Sequence, residues 1–163
     1  MAIAYLLLGS NLGQKLNNLR SAENEIYQRI GDLIQKSSIY KSPPWGFEHN
    51  ENFLNQVLQI NTQHSPDYLL EIILGIEREL GRVRSIAKNV YLPRIIDIDI
   101  LFYNGLIMET EKLVIPHPRL HLRKFTLVPL QEIAPDLVHP VLEKTINELH
   151  TMCNDDSEII KLE

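Results

Sequence analysis

Phe53-Leu54-Asn55-Gln56-Val57-Leu58-Gln59-Ile60-Asn61-Thr62 is the stretch of this chain that decides its fold. Its apolar residues Leu54, Leu58 and Ile60 share one parity, and residues of one parity lie on one face of a β-strand. The stretch is therefore predicted to be a strand with one face in a core. Residues 33–41 form another candidate strand just before it, and the two are expected to pair.

The segments on either side of these two strands follow a regular order. Ser65-Pro66 is typical of a helix start, and apolar residues then recur every three or four positions until Gly81. Residues 14–30 show the same helical spacing, while 2–8 and 95–102 are apolar runs of strand length. The resulting βαββαβ order predicts an α+β fold of the ferredoxin-like type, an antiparallel sheet with helices on one face.

The length of the chain suits one domain. Its 163 residues are predicted to form a single domain, 1–163, because a chain of this size builds one core. Helices near residues 127–134 and 143–152 are expected to extend the ferredoxin-like core at its C-terminal end. The hydrophobic share of 44% is ordinary for a globular protein.

Charge and cysteine content narrow the possible functions. The formal net charge is −5, and general nucleic-acid binding needs a basic surface. The single cysteine, Cys153, excludes an internal disulfide and a thiolate zinc site. The apolar N-terminus is too short to span a membrane and lacks the basic start of a secretion signal. We therefore expect a monomeric cytoplasmic protein that acts on small molecules, with no nucleic-acid or membrane partner.

The sharpest chemical feature is the acid pair in Arg94-Ile95-Ile96-Asp97-Ile98-Asp99-Ile100-Leu101. Asp97 and Asp99 project from one face of the predicted strand, and the isoleucines project from the other. Two carboxylates this close repel, and a hard divalent cation would relieve the repulsion. Mg²⁺ suits the position, because it takes one or two carboxylates and completes its octahedron with phosphates and water. The alternative is a solvated strand face whose acids meet Arg or Lys.

Positive charge is concentrated around the acid pair. An anionic polyphosphate requires cations near a bound metal ion, so the cationic side chains of residues 82–124 predict a phosphate site. The alternative is a solvated basic surface that offsets acidic helices. The cationic and histidine side chains of the segment are Arg82, Arg84, Lys88, Arg94, Lys112, His117, Arg119, His121, Arg123 and Lys124.

A proline-rich loop places aromatic residues near an amide. Ser42-Pro43-Pro44-Trp45-Gly46 contains the only tryptophan, and Phe53 and Asn55 follow closely. Flat heterocycles stack on such aromatic walls, and an asparagine offers both a donor and an acceptor to a ring edge. The alternative is a tryptophan that only caps the core, with Asn55 in an ordinary sheet position.

Taken together, these segments resemble the 6-hydroxymethyl-7,8-dihydropterin pyrophosphokinase family from Ala4 to about Pro140. Each motif is modest alone, but the occurrence of all of them in one order is specific. The resemblance implies that ATP gives its β,γ-pyrophosphoryl group to the hydroxymethyl oxygen of the dihydropterin, leaving AMP. The motifs are Leu8-Gly9-Ser10-Asn11-Leu12-Gly13, Ser42-Pro43-Pro44-Trp45-Gly46, Phe53-Leu54-Asn55, Glu77-Arg78-Glu79-Leu80-Gly81-Arg82, Pro93-Arg94-Ile95-Ile96-Asp97-Ile98-Asp99-Ile100-Leu101, Ile115-Pro116-His117-Pro118-Arg119, Phe125-Thr126-Leu127-Val128-Pro129-Leu130 and Glu132-Ile133-Ala134-Pro135-Asp136.

The same resemblance implies roles for individual residues. Asp97 and Asp99 would hold two Mg²⁺ ions, and Arg82 and Arg94 would join them as catalytic residues. Contacts with ATP would come from Glu77, Arg84, Lys88, Tyr91, Ile100, Lys112, His117 and Arg123. The dihydropterin would lie among Ser42, Pro43, Pro44, Trp45, Phe53, Asn55 and Phe125, stacked between the two phenylalanines.

Two other functions fit parts of this pattern. A ferredoxin-like sensor without chemistry would explain the aromatic residues but not the acid pair among arginines. A nucleotidyltransferase would use the acid pair to move a nucleoside monophosphate and would release pyrophosphate. RNA binding fits less well, because the predicted strands lack a paired aromatic platform.

Overall fold

The computed structural model describes residues 1–45, 51–81 and 95–162. A 3₁₀ turn at Leu120–Leu122 precedes the third helix. The elements are β1 (Ala2–Ser10), α1 (Lys15–Arg29), β2 (Gly31–Lys36), β3 (Tyr40–Ser42), β4 (Phe53–Thr62), α2 (Pro66–Glu79), β5 (Asp97–Tyr103), β6 (Met108–Glu109), β7 (Val114–Ile115), α3 (Lys124–Ile133), α4 (Ile146–Met152) and β8 (Ile160–Lys161).

The main sheet is antiparallel and has the strand order β5-β1-β4-β3-β8. β2 pairs with the far end of β4, so β2 and β3 occupy successive parts of the same edge. The long central pair runs without a register shift from Ala2 opposite Thr62 to Ser10 opposite Leu54. This order confirms the predicted ferredoxin-like core, because β1, the first strand, lies between the last strand of the motif, β5, and the hairpin that β4 forms with β2 and β3.

The strand predicted at residues 33–41 is divided in two. The side chain of Ser37 explains the break, because its Oγ accepts a hydrogen bond from the backbone N–H of Val57 at 2.9 Å. A side-chain oxygen thus takes the place of a ladder carbonyl, and the regular pairing is interrupted. The register also shifts between Leu33 and Gln35.

One face of the sheet packs against α1 and α2. Helix α1 buries Leu19, Ala22 and Ile26 as its spacing predicts, whereas Leu16 is 42% exposed and lies outside the core. Helix α2 begins as predicted, with Ser65 Oγ accepting the N–H of Tyr68 and proline in the first turn. The first core, which this packing creates, includes Leu6, Leu8, Leu19, Ile26, Leu58, Ile60, Leu69, Ile73, Ile76, Ile96, Ile98 and Ile100.

The two helices of the βαββαβ core lie on one face as predicted, and further helices cover part of the opposite face. The predicted C-terminal helices, observed as α3 and α4, provide this second layer. They pack on residues of the other parity and form a second core with Tyr5, Leu7, Val57, Leu101, Phe102, Leu120, Leu127, Leu130, Ile146 and Leu149. None of the helices within 1–45, 51–81 and 95–162 is long and apolar enough to cross a membrane.

Strand β5 carries an irregularity that shapes this second face. Its register with β1 shifts after Leu6 opposite Ile100, so that Phe102 lies opposite Tyr5. Leu101 and the next residue, Phe102, consequently both join the second core. Upstream of the shift, ordinary alternation places Asp97 and Asp99 on this face and leaves them outside the core.

Candidate active site

A cleft opens on the second face of the sheet, beyond the end of the second core. Its open volume is about 660 Å³. The cleft collects residues from four strands, two loops and the start of α3. Its walls are formed by Leu7, Gly9, Ser42, Pro43, Trp45, Phe53, Asn55, Asp97, Asp99, His117, Arg123 and Phe125.

The acid pair faces this cleft, as strand alternation predicts. Asp97 lies opposite Gly9 of β1, and Asp99 lies opposite Leu7. Both carboxylates line the cleft, whereas Ile98 between them is buried in the first core. The strand thus presents two oxygen-donor side chains to the same space.

Gly9 forms the floor between the acid pair and the amide. It pairs with Asn55 on one side and with Asp97 on the other. An added Cβ at Gly9 would lie 3.2 Å from Asn55 Oδ1 and 3.6 Å from Phe53 Cδ1, so a larger residue would crowd the cleft. Gly9 was not among the predicted site residues. The signal in the sequence was a glycine that follows an apolar strand, where glycine often marks the close approach of a ligand.

The amide of Asn55 is held by its neighbour on β3. Asn55 Nδ2 donates to Ser42 Oγ at 2.7 Å, and both side chains are buried. This bond leaves the Oδ1 side of the amide near Gly9. Phe53 is half-buried beside it, and Pro43, but not Pro44, contributes to the wall. The predicted stacking residues Phe53 and Phe125 therefore border one cleft.

His117 lies in the cleft as a neutral side chain. Burial is the largest cause that lowers its pKa to about 4, aided by Arg123 and Arg119 and opposed by Asp97. Its Nδ1 accepts the backbone N–H of Arg119 at 3.1 Å, so the proton of the neutral ring is assigned to Nε2. Nε2 is 3.9 Å from Asp99 Oδ2 and can donate to an acceptor in the cleft.

Arg123 reaches the centre of the cleft from the start of α3. Its side chain is 12% exposed, and Nη1 is 4.0 Å from Asp99 Oδ2, an electrostatic contact longer than a hydrogen bond. Its Cζ is 4.8 Å from the ring centroid of Trp45 and 5.5 Å from that of Phe125. The guanidinium of Arg123 thus lies beside two aromatic rings and one carboxylate of the acid pair.

Three of the predicted nucleotide contacts lie outside the cleft walls. Glu77 is buried beneath β5, where its Oε2 accepts the backbone N–H of Ile98 at 2.9 Å. Ile98 therefore directs its N–H away from β1, toward the outer side of β5. The side chain of Ile100 is in the first core, so only its backbone is available to a ligand. Lys112 is exposed in the turn between β6 and β7.

The remaining predicted site residues lie outside the described ranges. They are the catalytic candidates Arg82 and Arg94 and the nucleotide contacts Arg84, Lys88 and Tyr91.

The donor set of the cleft fits Mg²⁺. Among residues 1–45, 51–81 and 95–162, no group of three or more His, Cys, Asp or Glu side chains forms a complete metal cage. Mg²⁺ does not need one, because one or two carboxylates and substrate phosphates suffice. Asp97 and Asp99 supply those carboxylates at the border of an open space that can admit phosphates.

The sequence is similar to known proteins over most of its length. The family model for 7,8-dihydro-6-hydroxymethylpterin-pyrophosphokinase matches residues 5–135. A 2-amino-4-hydroxy-6-hydroxymethyldihydropteridine pyrophosphokinase of Methylorubrum extorquens is 45% identical, over 85% of this chain and 86% of that protein. The protein of the same name from Bacillus subtilis is 44% identical, over 80% of this chain and 77% of its own length. A folic acid synthesis protein of Dictyostelium discoideum is 40% identical over 90% of this chain, which spans only 22% of that protein.

The fold is similar to that of solved structures. A crystal structure of wild-type Plasmodium falciparum HPPK-DHPS matches 93% of this chain with a TM-score of 0.75 and 19% sequence identity. The match spans 43% of that longer chain. At this identity the likeness concerns the fold, whereas the family match and the relatives at 44–45% identity concern the sequence itself. The chain therefore belongs to the 7,8-dihydro-6-hydroxymethylpterin-pyrophosphokinase family.

Proposed function

We propose that this chain transfers the β,γ-pyrophosphoryl group of ATP to 6-hydroxymethyl-7,8-dihydropterin, a step in folate biosynthesis. The observation that carries the proposal is one row across three strands, in which Asn55, Gly9 and Asp97 are neighbours. The amide of Asn55 can hydrogen-bond to a ring edge, and the carboxylate of Asp97 can hold a metal ion. Only Gly9, which has no side chain, lies between them.

The dihydropterin is assigned to the end of the cleft near β3. Phe53 and Phe125 border this space and can stack on its ring. Asn55 Oδ1 can accept from a ring N–H, and the hydrogen bond from Nδ2 to Ser42 Oγ fixes the orientation of the amide. Ser42 and Pro43 contribute backbone groups at the same end, with Pro44 following in the loop. In this orientation the hydroxymethyl group would extend over Gly9 toward Asp97.

ATP is assigned to the end of the cleft near β5. His117 Nε2–H and the guanidinium of Arg123 can donate to phosphate oxygens, the first as a neutral donor and the second as a cation. The resemblance adds Arg82, Arg94, Arg84, Lys88, Tyr91 and Lys112 to this group. Ile100 would contribute backbone groups at the outer side of β5, where Glu77 already accepts the N–H of Ile98.

The transfer forms one bond and breaks another. The hydroxymethyl oxygen bonds to the β-phosphorus, the β-phosphorus separates from the oxygen that bridges it to the α-phosphorus, and AMP leaves. The hydroxyl proton passes to solvent water. Two Mg²⁺ ions, held by Asp97 and Asp99, would neutralise phosphate charge and make the hydroxyl more acidic when bound. His117 is not the base in this proposal, since its Nδ1 is engaged by Arg119 N–H and its Nε2 carries the proton. Arg123 stabilises the charge that develops on the transferring oxygens.

The wider setting is part of the same proposal. Residues 1–163 would act as one pyrophosphokinase domain and as a monomer. A cytoplasmic location suits charged small-molecule substrates and a chain with one cysteine.

A product assay tests the activity. Purified protein, ATP, Mg²⁺ and 6-hydroxymethyl-7,8-dihydropterin are incubated, and nucleotides are resolved by chromatography. We expect AMP to form only when the pterin and Mg²⁺ are both present. ADP would contradict pyrophosphoryl transfer, and pyrophosphate release would favour a nucleotidyltransferase. Pterin binding without any nucleotide turnover would favour the sensor.

A further inference from the structure

Trp45 stands between two open spaces. Its ring lines the cleft and also lines a second groove of about 870 Å³ on the side of α4. The second groove is bordered by His121, Leu122, Leu142, Lys144, Leu149, Met152, Cys153, Asn154 and Asp155. In the described part of the chain, Trp45 belongs to neither of the two cores. A role as a core-capping residue therefore does not explain its position.

The guanidinium of Arg123 lies over the ring of Trp45. The 4.8 Å distance from the Trp45 centroid to Arg123 Cζ is within the range of a cation–π contact. Phe125 lies at 5.5 Å from the same Cζ. Because the side chain of Arg123 is only 12% exposed, the contact is partly desolvated and is stronger than one at an open surface.

The backbone of Arg123 is fixed at the start of α3, so the conformation of its long side chain determines where the guanidinium lies. The carbonyl of Arg123 accepts the N–H groups of Thr126 and Leu127 as α3 begins, so the Cα cannot move without disturbing the helix. The arginine side chain itself has many rotamers, and holding it in one geometry costs conformational entropy. Contact with an aromatic ring restricts the side chain and itself uses no N–H donor.

Trp45 is itself anchored from the other wall of the cleft. Ser42 ends β3, pairs with Phe53 and accepts the Asn55 amide. Pro43 and Pro44 follow at once and restrict the backbone between Ser42 and the tryptophan. The position of Trp45 therefore depends on β3 and β4, and that of Arg123 depends on α3.

We propose that Trp45 is a positioning residue for pyrophosphoryl transfer, acting by holding the guanidinium of Arg123 beside Asp99. This role rests on the proposed function. It differs from the role that the family resemblance implies for Trp45, which is to border the dihydropterin. The two roles make different predictions. A pterin wall affects mainly the KM for the pterin, whereas a support for Arg123 affects kcat.

Kinetics of substituted proteins separate these roles. We expect Trp45→Leu to lower kcat about tenfold, with both KM values changed less than threefold. Trp45→Phe keeps an aromatic ring and should restore kcat to within about threefold of the unsubstituted protein. Lys144→Met is the matched control. It removes a cation that borders the second groove beside Trp45, and it should leave kcat within about twofold.

A double substitution tests whether Trp45 acts through Arg123. If it does, Trp45→Leu combined with Arg123→Met should be no slower than Arg123→Met alone, within about twofold. Two losses that multiply would overturn the proposal, because Trp45 would then act independently of Arg123. A rise in the pterin KM with unchanged kcat in Trp45→Leu would also overturn it.

A spectroscopic measurement without substrates separates this proposal from the proposed function. Ring currents of Trp45 and Phe125 should shift the Arg123 side-chain proton signals upfield, and Trp45→Leu should move them back downfield. Trp45→Phe should retain most of the shift. Absence of any change in Trp45→Leu would refute the contact. Intact ring-current shifts in a protein that forms no AMP would instead refute the proposed function, and the catalytic role of Trp45 with it.

Discussion

The two faces of the central sheet have different surroundings, and strand β5 contributes to both. On the face covered by α1 and α2, Ile96, Ile98 and Ile100 are buried in an apolar core. On the other face, Asp97 and Asp99 border an open cleft, and apolar packing resumes only at Leu101. Because neighbouring residues of a strand point to opposite faces, the seven residues of β5 contribute both to the core and to the cleft.

The difference teaches that stability and chemistry can be altered separately in this strand. Side chains on the first face are held by area removed from water, which stabilises the fold by about 25 cal/mol per Å² of apolar surface. On the second face, Asp97 and Asp99 are only half-buried and border the cleft, where a ligand can reach their carboxylates. The following four changes test this separation, from the largest expected effect to the smallest.

Asp97→Asn removes one carboxylate and preserves the size of the side chain. We expect AMP formation to fall about 1,000-fold or more, because the loss of a metal-holding charge is worth several kcal/mol in the transition state. The melting temperature should stay the same or rise, since the repulsion with Asp99 is relieved. Activity is measured by AMP formation and stability by thermal unfolding.

Asp32→Asn is the matched control for this loss of charge. Asp32 is exposed on β2, far along the sheet edge from the acid pair, and its substitution should leave activity unchanged. A large loss of melting temperature in Asp97→Asn would mean that the acid pair also supports the fold, and the separation of the two faces would fail.

Ile98→Ala makes the opposite change at the neighbouring residue. The free energy of unfolding should fall by about 2–5 kcal/mol, because a buried aliphatic side chain is lost and a cavity remains. Denaturant unfolding measures this, while kcat of the folded fraction should remain near that of the unsubstituted protein. Ile107→Ala, at a residue that is 61% exposed, should cost less than about 0.5 kcal/mol. A large fall in kcat with stability intact would contradict the division.

Gly9→Ala tests the cleft floor without changing charge. The new Cβ would meet Asn55 Oδ1 at 3.2 Å, so the amide must shift. We expect the pterin KM to rise about tenfold, an effect of about 1.4 kcal/mol. Gly105→Ala is the control, because no atom lies within 4 Å of its added Cβ. An unchanged pterin KM would remove Gly9 from the proposed site.

Glu132→Gln weakens the link between β3 and α3 and should have the smallest effect. Its carboxylate accepts hydrogen bonds from Tyr40 Oη, Ser38 N and Ser38 Oγ at 2.8–2.9 Å. Burial opposes ionisation, but the bonds from Tyr40 and Ser38 outweigh it and lower the pKa of Glu132 below its ordinary value. We expect a loss of about 1 kcal/mol near neutral pH, measured by denaturant unfolding.

The sign of the pH dependence follows from this lowered pKa. The folded state favours the carboxylate, so its contribution is fully present above the ordinary glutamate pKa and is lost as the pH falls through the folded pKa. The stability difference between the unsubstituted protein and Glu132→Gln should therefore shrink in acid. A difference that grows as the pH falls would mean that the protonated side chain makes the stabilising contact.

Periodicity predicted most of the architecture, because it reports directly which residues are buried. The bounds of β4 agree at both ends, and Ser65 caps α2 as predicted. The short strands β6, β7 and β8 have only two residues each, too few for any alternation to be recognised. The division between β2 and β3 depends on a hydroxyl of Ser37 bonding across the sheet, which no local pattern contains.

The candidate site, like the fold, could be predicted only in part from the sequence. Alternation correctly places Asp97 and Asp99 on one face, and the position of the cleft agrees with the predicted grouping of Phe53, Asn55 and Phe125. The contact of Trp45 with Arg123 joins residues far apart in the sequence and depends on how two loops approach. Sequence spacing defines the face of an element on which a residue lies, but it does not define which loops meet above that face.

The acid pair has a further consequence for how the chain reaches its fold. A slip of β5 by one residue against β1 would turn Asp97 and Asp99 into the apolar core and expose the isoleucines between and beside them. Burying two unpartnered carboxylates costs several kcal/mol each, which makes the slipped pairing unfavourable. Asp97 and Asp99, which are assigned to metal binding, therefore also disfavour the wrong alignment of β5 during folding.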